Sequence, residues 1–187
     1  GLYRHGYDET RTMYWADRYT GLSPECWLRA MGWMFAGAAD IAGLLPENTM
    51  CAVILRGLGR VFAKYQHEGL LYQLPEYGEA LEGNYPETSG TLLLAYSALK
   101  ASRLGIADDS IRRAGEEALY AVAERYIDTS GDVPVLRNIC LMGGLGGEQH
   151  RDGSVQYYLS ERIVENEAKG IAPFLMAVTE LGRLGGQ

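Results

Sequence analysis

The 187-residue sequence predicts an all-α fold of helical hairpins, arranged as a toroid or solenoid. Three observations predict it. Five stretches of helix length carry apolar residues at helical spacing. Stretches that are apolar on nearly every side alternate with amphipathic ones, as inner and outer helices of stacked hairpins would. The apolar stretches also share a beginning, since Gly32, Gly90 and Gly170 each follow a polar loop and start an apolar run, 58 and 80 residues apart. That spacing is irregular, so the repeat is divergent and a plain helical bundle is the simpler alternative.

The first element begins at Pro24 and Glu25, with Ser23 placed to cap it, and runs through Trp27, Leu28, Met31, Trp33, Met34, Phe35, Ala38, Ile41 and Leu45 to Pro46. Being apolar nearly all round, it reads as an inner helix buried on most sides. From Thr49 to Gln66, Met50, Val53, Ile54, Leu58, Val61, Phe62 and Tyr65 leave Arg56, Arg60 and Lys64 on one polar face, which makes an outer helix. Gly69 to Leu74 reads as a short extended piece before Pro75 and a Gly/Glu loop. Glu87 to Leu104 is again an inner helix, and Asp108 to Tyr126, with Arg112, Arg113, Glu116, Glu117 and Glu124, an outer one. Asp128 to Asp152 is a glycine-rich loop with short strands between Val133 and Cys140. Glu161 to Leu184 closes the chain as the last apolar helix.

Composition narrows the function. The 17 Lys and Arg against 24 Asp and Glu give a net charge of −7 with no basic cluster, which argues against a nucleic-acid surface. The longest apolar stretch is cut by Gly37, Asp40 and Gly43, so no membrane span is expected. Cys26, Cys51 and Cys140 share no CxxC spacing and read as small buried hydrophobes. His5, His67 and His150 have no metal-ligand spacing, and the glycines from Gly143 to Gly147 lack the Gly-Lys-Ser/Thr ending of a phosphate loop.

The densest chemistry lies between His5 and Trp33, which holds all three tryptophans. Arg29 and Trp33 stand at i, i+4 and share a helix face, setting a guanidinium beside an indole plate. A sugar acid uses such a pair, its apolar face stacking on the ring and its carboxylate taking the arginine. A core tryptophan with a snorkelling arginine is the equal alternative on spacing alone. Lys169 precedes Gly170 at the rim of the last inner helix, where a cation meets an anionic sugar.

The stretches Gly1-Leu2-Tyr3-Arg4-His5-Gly6-Tyr7-Asp8-Glu9, Trp15-Ala16-Asp17, Thr20-Gly21-Leu22-Ser23-Pro24 and Trp27-Leu28-Arg29-Ala30-Met31-Gly32-Trp33 resemble the unsaturated glucuronyl and rhamnogalacturonyl hydrolases. These are bacterial glycoside hydrolases of families 88 and 105, and the likeness is closer to the latter. Gly69-Leu70-Leu71-Tyr72-Gln73, Glu87-Thr88-Ser89-Gly90 and Tyr157-Tyr158 through Asn166-Glu167-Ala168-Lys169-Gly170 follow in the same order, so the resemblance covers essentially the whole chain.

The resemblance implies an (α/α)6 toroid of six hairpins, of which residues 1–187 form a single partial domain, about the C-terminal half. It implies removal of a 4,5-unsaturated uronic acid from the non-reducing end of an acidic, lyase-generated oligosaccharide of pectin type. An aspartic acid protonates the C4=C5 double bond, water adds at C5, and the hemiketal expels the rest of the sugar, with no metal or organic cofactor. His5, Trp27, Arg29 and Trp33 fall on the positions of the unsaturated-sugar pocket or adjoin it. The family's general acid lies upstream of the motif matched by His5, so neither Asp8 nor Asp17 takes that part and the chain alone is expected to be inactive. Inner-helix faces left open by a half toroid would be covered by the complementary half or by a second copy. Three unpaired cysteines fit a reducing cytoplasm, with a periplasmic or secreted placement as the alternative. A non-catalytic carbohydrate- or protein-binding repeat, or another sugar enzyme on the same toroid, stands as the competing function.

Overall fold

A computed structural model describes residues 2–186, so Gly1 of the opening motif and Gln187 lie outside the described residues. Among the described residues seven α-helices carry the fold: α1 Leu28–Leu44, α2 Thr49–Arg56, α3 Leu58–Tyr65, α4 Thr88–Arg103, α5 Asp109–Tyr126, α6 Val155–Ser160 and α7 Ala168–Gly185. Four two-residue strands pair antiparallel within the loops, β1 Ile127–Asp128 with β2 Val135–Leu136 and β3 Ile139–Cys140 with β4 Ile163–Val164. The expected all-α class with short β segments is what the chain adopts.

Helix α4 is the centre. It packs against α1, α5 and α7, and 13 of its 16 residues are buried. Two of its hydroxyls bond back along the chain, Thr91 Oγ1 donating to Glu87 O at 2.8 Å and Ser97 Oγ to Leu93 O at 2.6 Å. Helices α1, α4 and α7 thus form an inner row, with α2, α3 and α5 outside it. The shared glycine starts have a physical cause: a Cβ on Gly32 would lie 2.8 Å from Leu93 Cβ, and one on Gly90 would lie 2.5 Å from Leu28 Cγ. At their N-terminal ends α1 and α4 are too close for any other residue.

Several boundaries differ from the sequence reading. α1 begins at Leu28 without a side-chain cap, because Ser23 Oγ accepts from Gly6 N at 3.0 Å and Leu28 N donates to Gln73 O at 3.1 Å. It is not buried on all sides, since Trp33, Ile41 and Leu44 form an exposed stripe. The helix expected over 49–66 is two: the chain tightens where Gly57 N donates to Ile54 O at 2.8 Å, a turn in which a Cβ would lie 2.8 Å from that oxygen. Arg56, Arg60 and Lys64 stay on the exposed face across the break, but Met50 and Val53 are exposed too.

The extended piece Gly69 to Leu74 is held by single bridges, His67 to Leu70 and Tyr72 to Pro86, and forms no regular strand. Helix α6, capped by Ser154, was not expected. The last helix starts at Ala168 and not at Glu161, because Ile163 and Val164 pair with Cys140 and Ile139. α7 is also more exposed than an inner helix should be, with Leu175 and Val178 on its open face. The three cysteines are buried and unpaired.

Candidate active site

A cavity of about 480 Å³ opens at the N-terminal ends of the inner helices. All five residues singled out from the sequence, His5, Trp27, Arg29, Trp33 and Lys169, line it, together with Ala30 and the loop Leu141 to Gly143. They have quite different surroundings.

Arg29 and Trp33 project from one face of α1, as their spacing requires. Trp33 is 47% exposed and offers a free indole plate. Arg29 is 1% exposed, yet its Nη1 makes the only hydrogen bonds it has among the described residues: to Ser89 Oγ at 3.1 Å and to the carbonyl of Cys140. Nε and Nη2 have no partner among the described residues and belong to a residue that lines the cavity. Neither nitrogen is among the buried polar atoms left without a partner, so both open onto the cavity, where an anionic ligand is the natural acceptor.

Behind Arg29 stands Glu87, which sequence reasoning did not pick out as a site residue. It is fully buried and caps α4, its carboxyl oxygens accepting from Gly90 N at 2.6 Å, Ser89 N at 3.2 Å, Ser89 Oγ at 2.6 Å and Cys140 N at 3.0 Å. Arg29 and Glu87 share no direct ion pair. The Ser89 hydroxyl and the Cys140 residue lie between them, each accepting from the arginine and donating to the carboxylate. The arginine is thereby held in place while two of its nitrogens stay free. The visible signal was a carboxylate directly ahead of Thr88-Ser89-Gly90 at the start of an apolar helix.

Trp27 is 4% exposed and serves as scaffold more than as platform. Its Nε1 donates to Gln73 Oε1 at 3.0 Å, and its ring stacks on Tyr158 with centroids 5.8 Å apart. The Arg29 guanidinium sits 4.9 Å from its ring centroid, and the His5 ring is also 4.9 Å away. Gln73, fully buried, ties this group together by donating to Tyr158 O at 3.2 Å and Cys140 Sγ at 3.2 Å.

His5 Nδ1 lies 2.5 Å from Tyr158 Oη, and burial lowers the imidazole to about 4, so it is neutral at pH 7. Lys169, in the first turn of α7, holds Glu167 Oε1 at 2.5 Å. Burial pushes the Glu167 acid up, but the Lys169 side chain, the Lys169 N–H and the charges of Lys169 and Arg29 outweigh it, leaving the acid below its usual range.

Asp8 and Asp17 do not reach the cavity lining. Asp8 accepts from the N–H groups of Thr10, Thr12 and Met13 and from the Thr10 hydroxyl at 2.7 to 3.0 Å; the Met13 N–H and the Thr10 hydroxyl do most to hold it at about 2. Asp17 does the same for Tyr19 N, Thr20 N and the Thr20 hydroxyl, which also hold it low. Both carboxylates are occupied in holding their own turns, which favours their ionised forms. Among the described residues lining the cavity, none is Asp or Glu.

Comparison with known proteins agrees with this architecture. The model of Glycosyl Hydrolase Family 88 matches residues 1–184. The 24.9 kDa protein in the picA locus of Rhizobium radiobacter is 37% identical over 96% of this chain and 82% of its own length. The structure of a family 105 glycoside hydrolase from C. acetobutylicum ATCC 824 superposes with a TM-score of 0.89 at 37% identity, over 96% of this chain and 52% of that one. The unsaturated glucuronyl hydrolase of Bacillus sp. GL1, responsible for glycosaminoglycan degradation, shares the fold at 19% identity and a TM-score of 0.60, over 90% of this chain and 45% of that one. The chain thus spans about half the length of these solved structures.

Proposed function

Because the chain belongs to Glycosyl Hydrolase Family 88, we propose that it supplies the anion- and sugar-binding side of an enzyme that removes a 4,5-unsaturated uronic acid from the non-reducing end of pectin-type oligosaccharides. The observation that carries this reading is Arg29, buried, fixed through Nη1, and left with two free nitrogens at a cavity that also presents the open face of Trp33. In this reading the uronate carboxylate takes Arg29, with Lys169 adding positive charge, and the flat unsaturated ring stacks on Trp33.

The reaction is hydration of the C4=C5 double bond: a carboxylic acid protonates C4, water adds at C5, and the resulting hemiketal opens and releases the remaining sugar. Since no lining residue is a carboxylic acid, the reading takes the proton donor from the part of the toroid outside these 187 residues. That matched structures are about twice as long supports this arrangement. The same complementary half would cover Ile41 and Leu44 on α1 and Leu175 and Val178 on α7, which lie outside the cavity lining. Among the described residues no helix is long and apolar enough to cross a membrane. We assign the protein to a reducing cytoplasm, where three buried unpaired thiols are at home.

The test is the loss of ultraviolet absorbance of the conjugated uronate, with unsaturated rhamnogalacturonan disaccharide as substrate. It is run on this chain alone and on a protein carrying both halves of the toroid. Activity only in the latter is the expected result. Activity in this chain alone would require a proton donor among its own carboxyl groups, and silence in both would favour a carbohydrate-binding protein without catalysis.

A further inference from the structure

His5 and Tyr158 make a pair whose chemistry neither the family match nor the sequence reading assigns. Tyr158 is fully buried on α6, clamped between the Trp27 ring and the ring of Tyr157, whose centroid is 5.0 Å away. Its hydroxyl meets His5 Nδ1 at 2.5 Å and has no other hydrogen-bond partner among the described residues. Two arrangements of protons satisfy that distance. In one the phenol donates to a bare Nδ1. In the other Nδ1–H donates to the phenol oxygen, and the phenol proton is left inside the protein without an acceptor, a penalty of about 1–3 kcal/mol. The first leaves no orphaned group.

We infer that Tyr158 is a positioning residue that fixes His5 as the Nε2–H tautomer, so that the imidazole presents a hydrogen-bond donor, and not an acceptor, to the ligand in the cavity. Burial keeps both partners uncharged, lowering His5 to about 4 and raising the Tyr158 phenol. The charged groups around the pair are consistent with it: Arg29 and Lys169 line the same cavity and oppose a third positive charge there, while Glu25 and Asp152 act on the phenol side and favour its protonated form. With Arg29, a neutral Nε2–H makes the cavity a set of donors, complementary to a ligand rich in acceptors such as a uronate carboxylate and its ring oxygen. The assignment of this ligand rests on the proposed function, but the tautomer does not.

The experiment is nitrogen NMR on 15N-histidine-labelled protein at neutral pH, with the His5 signals identified as those missing from His5→Gln. The expected spectrum shows a pyridine-like Nδ1 and a pyrrole-like Nε2. In Tyr158→Phe, which keeps the ring stacked on Trp27, the two nitrogens should move toward a common average. A pyrrole-like Nδ1 in the unsubstituted protein overturns the inference whether or not the variant folds, and so do shifts that stay put in a folded Tyr158→Phe. Kinetics on the protein with both halves then test what the donor is for. Tyr158→Phe should raise KM for the unsaturated disaccharide about fivefold, the value of one neutral hydrogen bond, with kcat within about twofold. An averaged tautomer with unchanged KM would remove His5 from ligand recognition, whereas absence of activity in the unsubstituted protein would count against the proposed function alone.

Discussion

The inner row of helices carries cations at both ends, and Arg29, the buried one, is held unlike those at the other end. At the C-terminal end every cation meets its anion directly. Arg103 grips Glu180 through Nε at 2.5 Å and Nη2 at 3.2 Å, Arg183 adds a third contact at 2.9 Å, and Lys100 holds Asp40 at 2.6 Å beside the Tyr96 hydroxyl. At the N-terminal end Lys169 also pairs directly, with Glu167, but Arg29 is separated from Glu87 by Ser89 and Cys140, and two of its nitrogens have no partner among the described residues. Direct pairing uses up a guanidinium's donors and serves the fold. Pairing through an intermediary holds the side chain still and leaves donors for a ligand.

The sharpest way to break this contrast is Arg29→Ala in a protein carrying both halves. It should lower kcat/KM for the unsaturated disaccharide by about 100-fold or more, roughly 3 kcal/mol, chiefly through KM. An unchanged KM would put Arg29 back among structural residues. Arg103→Ala should do the reverse, costing about 2 kcal/mol in denaturant unfolding because Glu180 is 2% exposed and loses its bidentate partner, while KM stays within about twofold. A large KM change there would erase the distinction between the ends.

A pH titration sharpens the comparison further. His5 is held at about 4 in the folded protein against 6.5 ordinarily, so between these values the unfolded chain binds the extra proton and the folded one does not. Stability due to His5 is therefore complete above 6.5 and is lost as pH falls toward 4. Melting temperature should drop over that window, and the drop should be shallower in His5→Gln. Asp8→Asn and Asp17→Asn should matter least: both carboxylates are exposed and occupied with their own turns, so kcat/KM should stay within about twofold. A hundredfold loss in either would mean that a turn carboxylate reaches the reacting carbon.

The helices were legible where local chemistry decides them. Asp108 announces α5 by capping Ser110 and Ile111, and the apolar run after Glu87 is α4 to within a residue. What escaped is set by distant parts of the chain. α1 starts late because Gly6 and Gln73 claim the backbone and hydroxyl groups around Ser23 and Leu28, and α7 starts late because β3 recruits Ile163 and Val164. The site divides in the same way. The spacing of Arg29 and Trp33 places them on one face, but nothing in it says that one is buried and the other open, or that Trp27 turns inward onto Gln73. Tyr158 meets His5 from 153 positions away, Gln73 meets Trp27 from 46, and Glu87 meets Cys140 from 53, contacts beyond the reach of any periodicity.

The missing side chains of Gly32 and Gly90 bear on how the cavity behaves over time. Leu93 and Leu28 occupy the space that a β-carbon would need on each, so α1 and α4 interlock at two points, one beside Arg29 and Ser89 and the other about one turn further along. Sliding either helix along the other by even a fraction of a turn would drive a leucine into bare backbone. The distance from the guanidinium to the hydroxyl is thus dictated by interlocking shapes, with the hydrogen bond following from it, and a ligand arriving at Arg29 meets a template cut beforehand, with little for its own binding to rearrange.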